Sequence, residues 1–351
     1  MKRVISFIYG VMDLIKEFLV NWGIKILIVL FIGMILHNIL KIAEFSTVSP
    51  DGYKNLVVGD FENNKMMNVY VAGSGGKTVV ILPGFGSQSP VLQYKALVDG
   101  LKDEYRVVVV EYYGYGFSMG NTKSPRTNQQ IAIDTMTALK EAGIDGEFYL
   151  MPHSISNMYA MKIQSLYPEK VRGIISIDGE FPAEIDDPYY MNVNADTVTN
   201  VNLTSILELS GFERVLSLVS PKTFYIDKMQ EMKNVYTSDD ITLYKNRIAN
   251  SYLTRTMVNE INKMIENKEE LKEYKYPANL PVMQILSQDR VNEYKTNMAE
   301  NGAKVDLDML AEGVVTNKEN QKTVVIKGDH MLQFTNPKGV IDTAKSFLAS
   351  Y

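Results

Sequence analysis

The chain contains no cysteine, which removes disulfides, thiolate nucleophiles and cysteine-ligated metals from consideration while leaving its redox compartment open. Histidine is nearly as scarce: His37, His153 and His330 are the only three in 351 residues. No grouping of histidine with carboxylates has metal-ligand spacing, so neither a metal nor any other cofactor is expected. Positive charge is not in excess either, with 36 Lys and Arg against 41 Asp and Glu for a net charge of -5. Nothing therefore draws the chain to a phosphate backbone, and no nucleic-acid partner is expected. Nucleotide loops are missing too. The tract Gly73-Ser74-Gly75-Gly76-Lys77-Thr78 has Val71 at the position of the first glycine of a phosphate loop, and it precedes a strand where such a loop follows one. Gly114-Tyr115-Gly116 has Met119 where the third glycine of a dinucleotide fingerprint belongs. There is no internal repeat and no extended low-complexity tract.

What is present is a folded-domain composition, 46% hydrophobic and 22% charged, with one long apolar run near the amino terminus. Residues 26–36, ILIVLFIGMIL, carry no charge, and the stretch reaches Ile42 if Lys25 and Lys41 lie near its ends. About 17 to 19 residues approach the minimum for crossing a bilayer core of roughly 30 Å. Upstream, Val4, Ile8, Val11, Ile15 and Phe18 recur at helical spacing, which predicts an amphipathic helix. Residues 1–45 thus read as an amphipathic helix and a single-pass membrane anchor; a buried core helix and a cleaved signal peptide are the rival readings. Lys2, Arg3, Lys16 and Lys25 precede the span, while mainly Lys41 and Lys54 follow it. That asymmetry predicts a cytoplasmic amino terminus and an extracytoplasmic main domain.

Beyond the anchor, residues 56–60 and 66–72 predict a hairpin around the turn Glu62-Asn63-Asn64-Lys65. Six further apolar runs follow, at 78–82, 106–111, 147–150, 173–177, 281–286 and 323–327. Continuous apolar strands suit a sheet covered on both faces. Helical patterns at 90–102, 128–142, 155–166 and 337–348 alternate with them, predicting an α/β fold with a mostly parallel sheet. The alternation lapses between 183 and 280, where helical periodicity with many Asn, Lys and Tyr residues predicts an inserted helical cap. The sheet domain then comprises 54–182 and 281–351.

Four elements carry chemistry. A short strand, Leu150-Met151-Pro152-His153-Ser154-Ile155-Ser156 and a helix form a strand-turn-helix context. It resembles the nucleophile elbow G-x-S-x-G of the α/β-hydrolases, with Pro152 and Ser156 in place of its glycines. Pro152 has no amide and fits only where the sheet ladder has ended; Ser154 on its own could equally be a helix N-cap. Leu82-Pro83-Gly84-Phe85-Gly86 resembles the oxyanion loop of that family, which implies that the amides of Phe85 and Ile155 bind an oxyanion. Glu111 to Ser118 resembles the family's D-x-R-G-x-G-x-S segment, a structural element. For the base, His37 belongs to the anchor and His153 adjoins the nucleophile, pointing away from it in the usual elbow. His330, in Gly328-Asp329-His330 before the last helix, remains.

The resemblance spans residues 54–351 and implies a serine hydrolase. Its catalytic triad would be Ser154, Asp289 and His330, with Asp178 or Glu180 after the preceding strand as alternative acids. It implies an α/β-hydrolase sheet flanked by helices, and cleavage of an ester, thioester or amide of a small-molecule or lipid-like acyl substrate, most naturally a carboxylic ester. Transfer of the acyl group to another acceptor, or a non-catalytic membrane-bound binding protein on the same scaffold, are the alternatives.

Overall fold

A computed structural model describes residues 10–14, 16–47, 56–60, 65–120, 125–208 and 211–351. The first nine residues, Ile15 and most of the predicted hairpin turn lie outside it. Eight strands form one sheet in the order β1-β2-β4-β3-β5-β6-β7-β8. They are β1 (Leu56–Asp60), β2 (Lys65–Ala72), β3 (Thr78–Leu82), β4 (Arg106–Glu111), β5 (Phe148–Pro152), β6 (Val171–Ile177), β7 (Val282–Ser287) and β8 (Gln321–Ile326). β1 and β2 pair antiparallel, as do β2 and β4; every other pairing is parallel.

Side chains alternate across a strand, so an uninterrupted apolar run fills two cores at once. In β3, Val80 and Leu82 join one cluster with Val108, Leu150 and Ile174, beneath α3 (Asn128–Glu141) and α4 (Ser156–Leu166). Val79 and Ile81 join another with Val107, Met151 and Ile175, beneath α2 (Lys95–Leu101) and α10 (Pro337–Ser350). The helix expected across 90–102 is broken at Tyr94, which separates Pro90–Gln93 from α2; its hydroxyl is engaged at the site described below.

Between β6 and β7 the chain is helical: α5 (Pro188–Glu208), α6 (Phe212–Val219), α7 (Ser238–Ser251) and α8 (Met264–Leu271) are the longer pieces. A separate core of Phe224, Ile226, Met229, Tyr236, Tyr244 and Ile248 holds part of this layer together. The sequence pattern missed α9 (Gln288–Glu300), directly after β7. Its buried stripe is Arg290, Val291, Tyr294 and Asn297, helically spaced but mostly polar, so hydrophobic periodicity cannot reveal it.

At the amino-terminal end, α1 (Ile24–Thr47) continues a helix that begins at Gly10 and contains the uncharged apolar run 26–36, with a π-helical stretch at Leu19–Gly23. Within the described residues this is the one helix long and apolar enough to cross a membrane.

Candidate active site

The site forms where β3, β5, β6 and β8 end. β5 stops at Pro152, which pairs with Leu82 of β3, while its pairing with β6 is interrupted between Leu150–Ile174 and a parallel bridge of His153 with Ile177; the ladder has a gap there, where the sequence pattern required its end. The next backbone bonds run from the His153 amide to Leu82 O (3.0 Å) and from the Ser154 amide to Ile177 O (3.1 Å). Pro152 therefore falls in the gap of the β5–β6 pairing, where the ladder calls for no donor. Ser154 adopts φ 56°, a left-handed conformation rare outside glycine. Its carbonyl accepts from the amides of Asn157 and Glu180, each at 3.0 Å, which fixes the turn. Gly84 is required opposite it: a Cβ there would lie 2.6 Å from His153 Nδ1 and 3.2 Å from Ser154 Cβ. Ser156, in the place of a glycine, donates through Oγ to Pro83 O and accepts from the Tyr112 hydroxyl. It thereby ties the elbow to the loop after β3.

His330 stands on the turn after β8. Its Nε2 lies 2.9 Å from Ser154 Oγ, and its Nδ1 lies 2.7 Å from Asp178 Oδ2. A carboxylate only accepts, so Nδ1 carries the proton and Nε2 is free to accept from the serine hydroxyl. Asp178 is wholly buried. Its Oδ1 accepts from the Ser287 amide (2.8 Å) and its Oδ2 from the Ser287 hydroxyl (2.9 Å). Burial pushes the Asp178 carboxyl up. The His330 hydrogen bond, the Arg290 charge and the Ser287 amide outweigh that and hold it below the usual carboxylate value.

The carboxylate at the imidazole is thus Asp178 and not Asp289. Asp289 sits in the exposed first turn of α9, because β7 runs straight into that helix with Ser287 as its cap. What Asp289 contributes is its amide, which donates to Gly328 O (3.1 Å) on the His330 turn. Glu180 does not meet His330 either. It is paired with Lys268 (2.8 Å) and Arg290 (3.1 Å). Lys268 also bonds Glu184 (2.5 Å), and Arg290 reaches Glu184 at 3.3 Å and the carbonyls of Asp178 and Gly179 at 2.8 and 2.9 Å. In this quartet burial pushes both acids up. The two cations reverse the shift at Glu180, which ends lowered, whereas Glu184 stays raised beside the Glu180 charge.

His153 does turn away from the serine. Its Nε2 donates to the His330 carbonyl (2.9 Å) and its Nδ1 accepts from the Tyr94 hydroxyl (2.8 Å), which itself accepts from the Gly84 amide (3.1 Å). One chain of hydrogen bonds therefore braces the oxyanion-type loop, the elbow and the histidine turn. Burial, with the nearby His330, lowers the His153 pKa to about 3, so it stays neutral and keeps that tautomer.

The amides of Phe85 and Ile155 have no hydrogen-bond partner among the described residues. Two chambers meet at Ser154, Phe85 and His330. One of about 190 Å³ is lined by Gln88, Gln93, Tyr225 and Tyr244; the other, about 460 Å³, by Tyr189, Tyr190, Glu184 and Tyr294. Among the described residues no group of three or more His, Cys, Asp or Glu could hold a metal ion. Sequence reasoning missed Ser287, Arg290, Lys268 and Tyr94. Of these only Ser287 carried a signal, a serine at a strand-to-helix boundary.

A parallel sheet with an antiparallel edge, a left-handed serine between β5 and α4 and a histidine turn after β8 define the α/β-hydrolase fold. The family model described as alpha/beta hydrolase fold matches residues 77–208. Among its relatives, the chain is 26% identical over 235 residues to the Bacillus subtilis uncharacterized protein YbdG, covering 66% of this chain and 70% of that one. It is 23% identical over 289 residues to a serine hydrolase-like protein of Danio rerio, covering 78% and 82%. A thermophilic esterase from Thermogutta terrifontis superposes with a TM-score of 0.55 at 18% identity over 82% of this chain and 94% of its own; that likeness concerns the fold alone.

Proposed function

We propose that the protein is a membrane-anchored serine hydrolase that cleaves a carboxylic ester through an acyl-serine intermediate. The observation that carries this reading is the continuous relay from Ser154 Oγ through His330 to the buried Asp178 carboxylate. In the reaction, Ser154 Oγ attacks the substrate carbonyl carbon as its proton passes to His330 Nε2. The carbonyl oxygen, now an anion, takes the amides of Phe85 and Ile155. Collapse breaks the bond to the alcohol, which leaves with the proton from His330. Water then gives a proton to His330, attacks the acyl-serine and releases the acid, and Ser154 recovers its proton. Asp178 keeps the imidazole in the required tautomer and stabilises its charged form.

A serine nucleophile favours acyl chemistry over epoxide opening, although epoxide hydrolase structures share the fold. Serine attack on an epoxide would leave an ether, which water does not cleave under these conditions. Anchoring is supported by the helix from Gly10 to Leu40, in which Leu27, Val29, Phe31 and Ile32 are each at least half exposed. The lysine asymmetry supports placing the catalytic domain outside the cytoplasm. The test is labelling of the full chain with a fluorophosphonate, which should modify Ser154 and be abolished by Ser154→Ala in a protein that remains folded. Labelling that persists at another residue removes the assignment. Intact labelling without turnover on any ester would favour acyl transfer or a binding role. For topology, protease added to spheroplasts should digest the catalytic domain and spare a tag at Met1.

A further inference from the structure

Helix α6 in the cap is inside out. Glu213 and Ser217, one turn apart, are 2% and 3% exposed, whereas Phe212, Val215, Leu218 and Val219 are 50%, 57%, 69% and 73% exposed. A helix on a water-facing surface does the reverse, and four large apolar side chains on one exposed face form a patch that calls for an apolar neighbour. Its position names that neighbour. Gly211, the residue before α6, abuts α1: a Cβ on it would lie 2.7 Å from His37 Nδ1. α1 also packs on α7. Around His37, the side chains of Leu36, Ile39 and Leu40 remain exposed at 54%, 57% and 43%. The α6 patch therefore continues the apolar surface of α1 near the end of the segment read above as a membrane span.

We propose that the outward face of α6 is immersed in the same bilayer as α1, and that the substrate is a lipid-embedded acyl ester delivered to Ser154 from that bilayer. This rests on the anchoring and the hydrolase readings given above. The chain after α6 supplies the route: Thr223, Phe224 and Tyr225 follow it directly and line the smaller chamber at Ser154 and His330. A bilayer fits the patch better than a protein partner does, because an interfacial helix needs only an apolar face and a neighbouring polar one, and beside it α1 exposes Leu36, Ile39 and Leu40 with Asn38 as the one exposed polar side chain between 36 and 40.

With no native cysteine, single labels are clean. Leu218→Cys on α6, Phe31→Cys on α1 and Asp239→Cys on α7 are spin-labelled in the full-length protein in vesicles of phosphatidylethanolamine and phosphatidylglycerol, and probed with oxygen and a nickel chelate. The label at 218 should be reached by oxygen and shielded from nickel, as at 31, while 239 shows the opposite. A 218 label as open to nickel as 239 overturns the docking, whatever 31 reports. A 218 label shielded from both reagents means a protein partner covers α6, and also overturns it. An aqueous 31 label removes the anchor reading independently. For the substrate, the double variant Leu218→Glu, Val219→Glu should lose about tenfold in hydrolysis of a long-chain ester embedded in vesicles and keep its rate on a soluble short-chain ester. Equal rates on both, relative to the wild type, overturn delivery from the bilayer. Loss of fluorophosphonate labelling at Ser154 would be a failure of the hydrolase reading instead.

Discussion

Strands β6 and β7 lie side by side in the sheet, and their carboxyl ends treat a carboxylate in opposite ways. β6 ends in a sharp turn: Asp178 has φ 43°, its amide bonds Ile285 O, and its side chain is driven into the sheet end with no exposure. β7 ends by becoming a helix, so Asp289 falls on the outward first turn of α9 and stays in solvent. The end of β7 is not idle, however. Ser287 gives both its amide and its hydroxyl to Asp178, and Arg290, one turn into α9, holds the Asp178 and Gly179 carbonyls. One strand end thus carries the acid and the next carries its donors. A carboxylate becomes useful to an imidazole only where its desolvation is offset by such donors, and chain order alone does not say which of two adjacent strand ends will supply them.

The largest expected effect tests that division directly. Asp178→Asn should lower the turnover number steeply, by as much as about 10⁴ if the wrong imidazole tautomer is then favoured as in the serine proteases, with a smaller change in KM. Asp289→Asn should leave both within about twofold, since its contribution is a backbone amide that the substitution keeps. Steady-state kinetics of the two variants on one activated ester decide it. A collapsed Asp289→Asn beside a near-normal Asp178→Asn would reverse the comparison.

Much of the site was open to reading from residues, and what was not has a physical cause. The serine, the histidine and the two amide-bearing loops are marked by local features: a small residue in a strand-to-helix turn, a glycine pair after a strand, a histidine before the last helix. Ile177-Asp178-Gly179 and Ser287-Gln288-Asp289 are both strand ends with an acid nearby. What separates them is that β7 has no turn of its own before α9. That helix was invisible because Arg290, Tyr294 and Asn297 make up most of its buried stripe, and a polar stripe does not register as helical periodicity. Pro152 and Ser156 were departures from the expected motif for a local reason also hidden from sequence, namely a gap in the β5–β6 pairing and a hydrogen bond to Pro83.

Next in size is the ion cluster that backs Asp178. Arg290→Met leaves Lys268 as the one cation beside Glu180 and Glu184 and removes the two guanidinium hydrogen bonds to the Asp178 and Gly179 carbonyls. Breaking one partner out of a buried charge network costs about 3–5 kcal/mol. We expect a drop of that order in urea or thermal unfolding, with fluorophosphonate labelling retained in the fraction that stays folded. A loss below about 1 kcal/mol, the range of exposed ion pairs, would mean that the cluster is screened by solvent.

The smallest effect is the one that speaks most directly to the pairing of the two strand ends. Ser287→Ala keeps the amide at Asp178 Oδ1 and removes the hydroxyl at Oδ2, where His330 Nδ1 still donates, together with the cap that accepts from the Arg290 amide, a loss that does not depend on pH. Losing one hydrogen bond to a buried charged group costs about 1.5–3 kcal/mol, and the remaining donors place this case near the lower limit, roughly a tenfold loss in turnover. The sign of the pH effect follows from the direction of the Asp178 shift. Its folded pKa lies below the unfolded value. The stabilisation it provides is therefore fully present above the unfolded pKa and is lost as pH falls through the folded one. Removing the Ser287 hydroxyl takes away a group that favours the ionised form, so the folded pKa rises and acid unfolding should begin at a higher pH than in the wild type. Above the unfolded carboxylate range the stability difference between the two proteins should become constant. Unfolding midpoints from neutral pH downward provide the measurement, with Ser156→Ala as a variant whose hydroxyl makes no contact with Asp178. A Ser287→Ala curve that runs parallel to the wild type at every pH would mean that Asp178 does not depend on the β7 end for its charge, and the division of labour between the two strands would fail.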